Sequence, residues 1–481
     1  MKQKSLNLNM LLNAIKGLMG VIFPLITFPY ISGILGVENL GRYNFAVSVA
    51  SYIILLAGLG ITNYAIREGA RIRENKEKFG KLANQVFTIN ILSTIFAYLV
   101  LAVLILVVPK FHDYTALLLI LSSQIIFTAF GTEWMYSIYE EYAYITLRSI
   151  IFQIVSIVLM FIFVKTQNDV NIYAIVTVIS ASGANVFNYI HARKYHRVKL
   201  TKNPDFKKHL KPILVLFAMS ATVSIYVGSG TTILGFLSGD EAVGIYSVAA
   251  KVYTVVKGVF ASIVLVSIPR ISSLLGGEKK EELTKTVKNI YSMLLTVTMP
   301  AVFGVAVLSK EIILIISNEE FLAASPAIIV SAVTMFVCLG AYFWGQAILV
   351  PFKKENVVLK ATITSAIVNV VLNFVLIPRL NETAPAISTL ASETVAFLWC
   401  MLVGRKLVGN IDGIKMGIKA IVGCVPIVVF SLVLKPVIAN MYLYIVCLIA
   451  LSGISYLIIE LLLKNEVLYD IINKVKTKLI K

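Results

Sequence analysis

Residues 36–43 read G-V-E-N-L-G-R-Y, and residues 239–246 read G-D-E-A-V-G-I-Y. Gly36, Gly41 and Tyr43 recur as Gly239, Gly244 and Tyr246, at an offset of 203. The same offset lays Arg67 over Arg270 and Lys76 over Lys279, each in a basic stretch. Trp134 and Trp344 match at 210, which implies a small insertion in the second copy. A repeat of this length fixes architecture before any single element does. The chain reads as two like halves.

Each half is embedded in apolar sequence. Of the 481 residues, 58% are apolar and 14% charged, with a mean hydropathy of +0.87. A soluble domain runs about 45–50% apolar with about a quarter charged, so a soluble enzyme is excluded. One spanning helix takes about 20 residues, and with short connections this length holds roughly 12 to 16 spans. Apolar runs bounded by charges and turn residues fall at 11–35, 43–66, 84–108, 114–137, 147–166, 170–191, 212–238, 242–268, 288–316, 324–350, 359–378, 384–403, 418–437 and 441–463. The expected fold is an all-α polytopic membrane protein of about fourteen transmembrane helices. Two six-helix lobes, 1–191 and 212–403, are joined by a basic linker, 192–211, and followed by an extra helix pair and a basic tail, 404–481. The linker reads as a plain connector, with a segment lying on anionic lipid as the alternative. The copies begin with spans one and seven, so both start on the same side of the membrane. That makes them parallel repeats about an axis along the membrane normal, which rock around a site near the midplane.

The net charge of +18 comes from 43 Lys and Arg against 25 Asp and Glu. In a soluble chain this balance suggests nucleic acid; here cytoplasmic loops account for it and no nucleic acid is expected. With the N-terminus inside, 34 of the 43 basic residues fall on inner stretches, six on outer ones, and Lys16, Lys251 and Lys257 within spans. Both termini are therefore expected on the cytoplasmic side. Residues 1–10 show no cleavage pattern, so no removable signal peptide is expected. Cys338, Cys400, Cys424 and Cys447 lie in apolar runs and read as small core residues.

Helical spacing then picks out polar faces. Gly244, Ser247, Lys251, Thr254, Gly258 and Ser262 form one stripe, and Asn44, Ser48, Ser51, Gly58 and Thr62 another. Span one carries Asn13, Lys16, Gly20, Pro24 and Thr27; span seven carries Ser220, Ser224 and Thr231. Close helix packing by small residues explains the uncharged stripes as readily as a water-lined face does. Lysines are different. Lys251 lies roughly 14 Å and Lys257 roughly 22 Å along its span. Two central lysines cost roughly 5–7 kcal/mol on the insertion scale. Water, a counter-charge or a ligand must offset that. The expectation is a cationic cavity between the lobes for an anionic, phosphate-bearing head group, with Lys16, Lys251, Lys257, Arg67, Arg270, Asn13, Ser48 and Thr254 as its residues. For Arg67 and Arg270 a topological role competes with contact to a head group. Glu393 also lies deep, with Asn369 and Asn373 at i, i+4 on the preceding span; these oxygens are candidates for a Na+ site, and Glu393 for a proton carrier. A buried, hydrogen-bonded Glu is the competing explanation.

No catalytic residues, no metal site and no cofactor beyond a coupling ion are expected. His112, His191, His196 and His209 have no metal-ligand spacing, there is no Walker-type loop, and Glu133, Glu140 and Glu141 lack an extramembrane domain to serve.

The stretches L-L-N-A-I-K-G (11–17), F-P-L-I-T-F-P-Y-I-S-G-I-L-G-V-E-N-L-G-R-Y-N-F (23–45), Y-A-I-R-E-G-A (64–70), G-T-E-W-M-Y (131–136) and E-E-Y-A-Y-I-T-L-R-S-I (140–150) resemble the bacterial oligosaccharide flippases of the polysaccharide transporter family. These belong to the multidrug, oligosaccharidyl-lipid and polysaccharide exporter superfamily. The resemblance is sharpest over 11–165 and continues more loosely to 435. It implies a cavity between spans one, two, seven and eight, in the bacterial cytoplasmic membrane. The implied substrate is an undecaprenyl-pyrophosphate-linked oligosaccharide moved from inner to outer leaflet. Many family members have twelve spans, so the final pair departs from the pattern; relatives that flip cell-wall precursors have fourteen, and some bind sodium in the second lobe. Expected partners are the lipid-linked oligosaccharide, membrane lipids, and a glycan polymerase and other assembly proteins, with the flippase itself a monomer. A drug/cation antiporter of the same superfamily would favour acidic pockets, and a membrane enzyme of lipid-linked glycan polymerisation would need a large outer loop.

Overall fold

The computed structural model describes residues 6–275, 280–409, 411–465 and 469. Lys279 and the basic stretches at both ends lie outside them. The helices are α1 (Leu6–Gly58), α2 (Ile61–Ile72), α3 (Lys76–Val107), α4 (Thr115–Gly131), α5 (Glu133–Ile138), α6 (Tyr142–Phe163), α7 (Val170–Val178) and α8 (Asn185–His191). They continue as α9 (Phe206–Leu274), α10 (Lys280–Val307), α11 (Ser309–Ile316), α12 (Ser325–Tyr342), α13 (Glu355–Leu380), α14 (Ala384–Val408), α15 (Gly413–Leu434) and α16 (Met441–Leu462). No strand occurs among the described residues.

Ten helical stretches among the described residues are long and apolar enough to cross a membrane, and α4 is a shorter apolar helix. Their outer faces stay greasy: Leu106 is 77% exposed, Val266 80% and Leu432 72%. Exposed apolar surface on this scale fits hydrocarbon as its solvent, not water. The protein is an all-α, multi-pass membrane protein.

The quoted repeat is visible in the backbone. Where loops were expected after residues 35 and 238, α1 and α9 run on as helices, each interrupted at one glycine. Gly36 has φ 70 and ψ −179, Gly239 φ 87 and ψ −172. A positive φ is open to glycine without strain, so two residues matched by sequence make the same kink. Glu38 and Glu241 also match at this offset.

Elsewhere the apolar runs lie on helix but not always on one helix. The expected span 43–66 is divided: α1 ends at Gly58, Gly60 turns the chain at φ 70, and amphipathic α2 follows. The run 114–137 stops at Gly131, after which Thr132 takes a left-handed conformation before α5. The runs 170–191 and 324–350 contain π-helical turns at Ile179–Gly183 and Phe343–Leu349. Polar residues set other ends: Asn75 accepts from Lys78 N at 3.0 Å to start α3, and Asn440 from Leu443 N at 3.0 Å to start α16.

By packing, the chain divides into residues 1–244 and 245–481. In the first unit α1 packs on α3, α4 and α6. One core cluster there gathers Trp134, Phe79, Tyr136 and Ile61. In the second, α14 packs on α12 and α13, and a core cluster gathers Trp344, Phe343, Tyr291 and Ile271. The two tryptophans matched by the repeat thus each sit in a core of their own unit. The extra C-terminal helices α15 and α16 pack on each other and α15 on α10.

The basic stretch after α8 is ordered along α3. His196 Nε2 lies 3.1 Å from Asn84 Oδ1, Lys199 N donates to Asn84 Oδ1 at 2.8 Å, and Thr201 N to Thr88 Oγ1 at 2.9 Å. His209, fully buried, closes the strap: its Nδ1 lies 2.6 Å from the Tyr64 hydroxyl and its Nε2 3.0 Å from Gln85 Oε1.

Candidate functional site

The second half of α9, beyond Gly239, carries the lysine stripe. Its upper part is sealed, with Gly244 and Ser247 buried, whereas Thr254, Gly258 and Ser262 are exposed. Lys251 and Lys257 stand between these extremes, half-buried. Along a helix their six-residue separation is about 9 Å.

Lys257 has a counter-charge. Its Nζ is 3.9 Å from Glu393 Oε1 on α14, with the Tyr253 hydroxyl 3.5 Å from Nζ and 3.4 Å from the same carboxylate oxygen. The Lys257 side chain is 34% exposed and that of Glu393 only 7%. Sequence reasoning assigned Lys257 to a substrate site and Glu393 to an ion site; the structure brings the two into one pair. Tyr253, which bridges them, was missed, although it stands one turn before Lys257.

Asn369 and Asn373 on α13 are buried and face α14. Asn373 Nδ2 donates to Asn369 Oδ1 at 2.9 Å, and Asn369 Nδ2 to Ser392 Oγ at 3.3 Å and Thr389 Oγ1 at 3.4 Å. Asn373 Oδ1 and Ser388 Oγ, both buried, have no hydrogen-bond partner. Unsatisfied buried acceptors are rare enough to require an explanation.

Of the other predicted residues, Ser48 and Arg67 belong to the first unit and Thr254 and Arg270 to the second. Ser48 is buried on α1, donates to Phe45 O at 2.7 Å and receives the Thr232 hydroxyl at 2.9 Å. Thr254 donates to Ala250 O of its own helix at 2.8 Å. Arg67 pairs with the adjacent Glu68 at 2.9 Å and is half exposed; Arg270 is exposed. Asn13 and Lys16 lie on α1, but their side chains are outside those described. The loop carboxylates are engaged: Glu140 with Arg73 at 2.8 Å, Glu141 with Lys194 at 2.7 Å, and Glu133 with Arg148 at 3.5 Å. Two deep acids escaped the sequence reading because they lie near span ends: Glu311, paired with Lys435 at 2.8 Å, and Glu460. Among the described residues no group of three or more His, Cys, Asp or Glu could hold a metal.

Fold and site together define a multi-pass helical membrane protein with a lysine–glutamate pair set among its spanning helices. The chain belongs to the polysaccharide biosynthesis protein family, which its residues 7–275 match. It is 24% identical, over 77% of its length and 90% of the relative's, to an Escherichia coli (strain K12) protein named, provisionally, as an O-antigen transporter. It is also 24% identical to the capsular polysaccharide biosynthesis protein CapF of Staphylococcus aureus, over 75% of this chain and 89% of that one. Its fold matches a solved structure of the lipid II flippase MurJ in an inward closed conformation, with a TM-score of 0.72 and 16% identity over 95% of this chain and 99% of that one.

Proposed function

We propose that this protein is a lipid-linked glycan flippase, moving an undecaprenyl-pyrophosphate-linked oligosaccharide from the inner to the outer leaflet of a bacterial cytoplasmic membrane by alternating access. The observation that carries the reading is the pair of lysines on the second half of α9, a stretch otherwise apolar enough to span the bilayer. Ammonium groups are strong charge-assisted donors to phosphate oxygens, and a passenger with a pyrophosphate gives them something to meet in transit. The relatives' names, O-antigen transporter and capsular polysaccharide biosynthesis protein, support the same class of cargo.

Lys257 also touches Glu393, so arrival of an anionic head group competes with that carboxylate for one ammonium group. Released from Lys257, Glu393 is the group that would meet the coupling ion, H+ or, with the Asn369 and Asn373 oxygens, Na+. An ion gradient would then drive the cycle through this competition. In this reading both termini are cytoplasmic, fourteen spans form two six-helix lobes plus a pair, and a monomer works beside the glycan polymerase and other assembly proteins.

Deletion of the protein followed by leaflet-resolved analysis of lipid-linked oligosaccharide tests the proposal. Accumulation on the inner leaflet supports it. An unaltered pool contradicts it.

A further inference from the structure

We infer that the extra C-terminal helix pair builds an anion site at its basic end, for a phosphate group such as that of an anionic lipid. The inference is independent of the transport reading and is tested without transport. A cavity of about 130 Å³ opens where the start of α15, the end of α16 and α10 meet. A buried water needs only about 10–15 Å³ of such space, so a phosphate group has ample room. Four lysines line it: Lys288 of α10, Lys415 and Lys419 of α15, and Lys464 in the turn after α16. Lys415 and Lys419 lie one turn apart on α15, so both project from the same face.

Convergence distinguishes this site from the scattered lysines that any inner loop collects. Four ammonium groups crowd one small space and repel one another, with the Asp412 carboxylate in the lining and that of Glu460 behind Asn465. The walls are nevertheless fixed. Lys419 Nζ donates to Leu463 O at 2.7 Å. Asn465, buried in the cavity wall, donates to Glu460 Oε2 at 2.6 Å and Thr296 Oγ1 at 2.9 Å. Glu460 is wholly buried. Asp412 and Lys464 hold left-handed backbone, with φ 45 and φ 53, which is uncommon outside glycine. Strained, braced backbone around a set of like charges is what a preorganised anion site requires. Phosphate oxygens are acceptors that several ammonium groups can share, and the position at the ends of membrane-spanning helices puts the cavity at head-group depth.

The test uses the full chain purified in neutral detergent, with unfolding followed on heating. Three probes are added separately: phosphatidylglycerol in mixed micelles, phosphatidylcholine in the same micelles, and inorganic phosphate. Phosphatidylglycerol should raise the midpoint by ~2–4 °C at saturation, and phosphatidylcholine should not. The rise should vanish in K415Q/K419Q, persist in K415R/K419R, and persist in K353Q/K354Q, which removes two exposed lysines elsewhere. A rise with phosphatidylglycerol alone assigns the site to a lipid head group; an equal rise with inorganic phosphate assigns it to the free anion. No rise with either, or a rise that survives K415Q/K419Q, overturns the inference.

Discussion

Gly41 on α1 abuts the main chain of Asp240 so closely that a β-carbon at Gly41 would overlap the Asp240 carbonyl and stand 2.7 Å from the Gly244 nitrogen. The contact is returned, because a β-carbon at Gly244 would overlap the carbonyl of Val37. Val37 and Asp240, like Gly41 and Gly244, are related by the repeat offset. The two kinked helices therefore cross through a mutual backbone contact that only glycine permits at both points.

Substituting either crossing glycine should be costly for that reason. G41A and G244A should each lower stability by about 1–3 kcal/mol, the usual penalty for overpacking. G33A, one helical glycine with nothing within 4 Å of its added carbon, should be neutral or slightly stabilising. Thermal unfolding in detergent checks this; equal midpoints for G33A and G41A would contradict the crossing.

The Lys257–Glu393 pair gives a second prediction. K257M and E393Q should each lower transport by about tenfold or more, equivalent to at least 1.4 kcal/mol. Because Glu393 is buried, loss of Lys257 also leaves a charge unpaired, so transport is compared at equal amounts of inserted protein. E393Q should also lose its response to an imposed Na+ or H+ gradient. Full gradient response in E393Q would remove this residue from coupling.

Asn373 and Ser388 supply a test of the ion. If their unpartnered oxygens help to hold Na+, replacing choline with Na+ should raise the unfolding midpoint of the wild type and not of N373A/S388A. Identical midpoints in both salts would remove Na+ from this site.

The strap over α3 should respond to pH. Burial, and then the charge on Lys208, holds the His209 imidazole below its ordinary value, against smaller opposing effects of Asp205 and Glu68. Burial, and then Lys199, does the same to His196. A depressed imidazole favours the folded state in its neutral form, so the strap's stability is complete above about pH 6.5. It is lost as pH falls below that through the folded value. Protection of the amides over residues 195–209, corrected for the intrinsic slowing of exchange in acid, should be lower at pH 5 than at pH 7.5, and H209F should flatten the difference.

Much of this fold is legible in composition and period. Apolar runs found the helices because hydrocarbon demands them residue by residue, and the Gly36/Gly239 match found the repeat because a positive φ leaves little choice of side chain. Local breaks were harder. Gly60 and Thr132 end helices inside apolar runs that hydropathy reads as continuous. At the site, depth alone marked Lys257 and Glu393. Their pairing is a tertiary relation across 136 positions of sequence, and Tyr253 carries no signal that separates it from any core tyrosine. Ser48 and Thr254 fit a polar stripe, and their bonds, to a neighbouring helix and to their own backbone, are ones that a packed face and a wet face make alike.

The central claim concerns Lys251 and Lys257, and purified protein in sealed liposomes loaded with a labelled lipid-linked oligosaccharide tests it most directly. Wild type should expose label to an external enzyme, whereas K251A and K257A, inserted to the same level, should leave it protected. Wild-type rates of exposure in both variants would contradict the account.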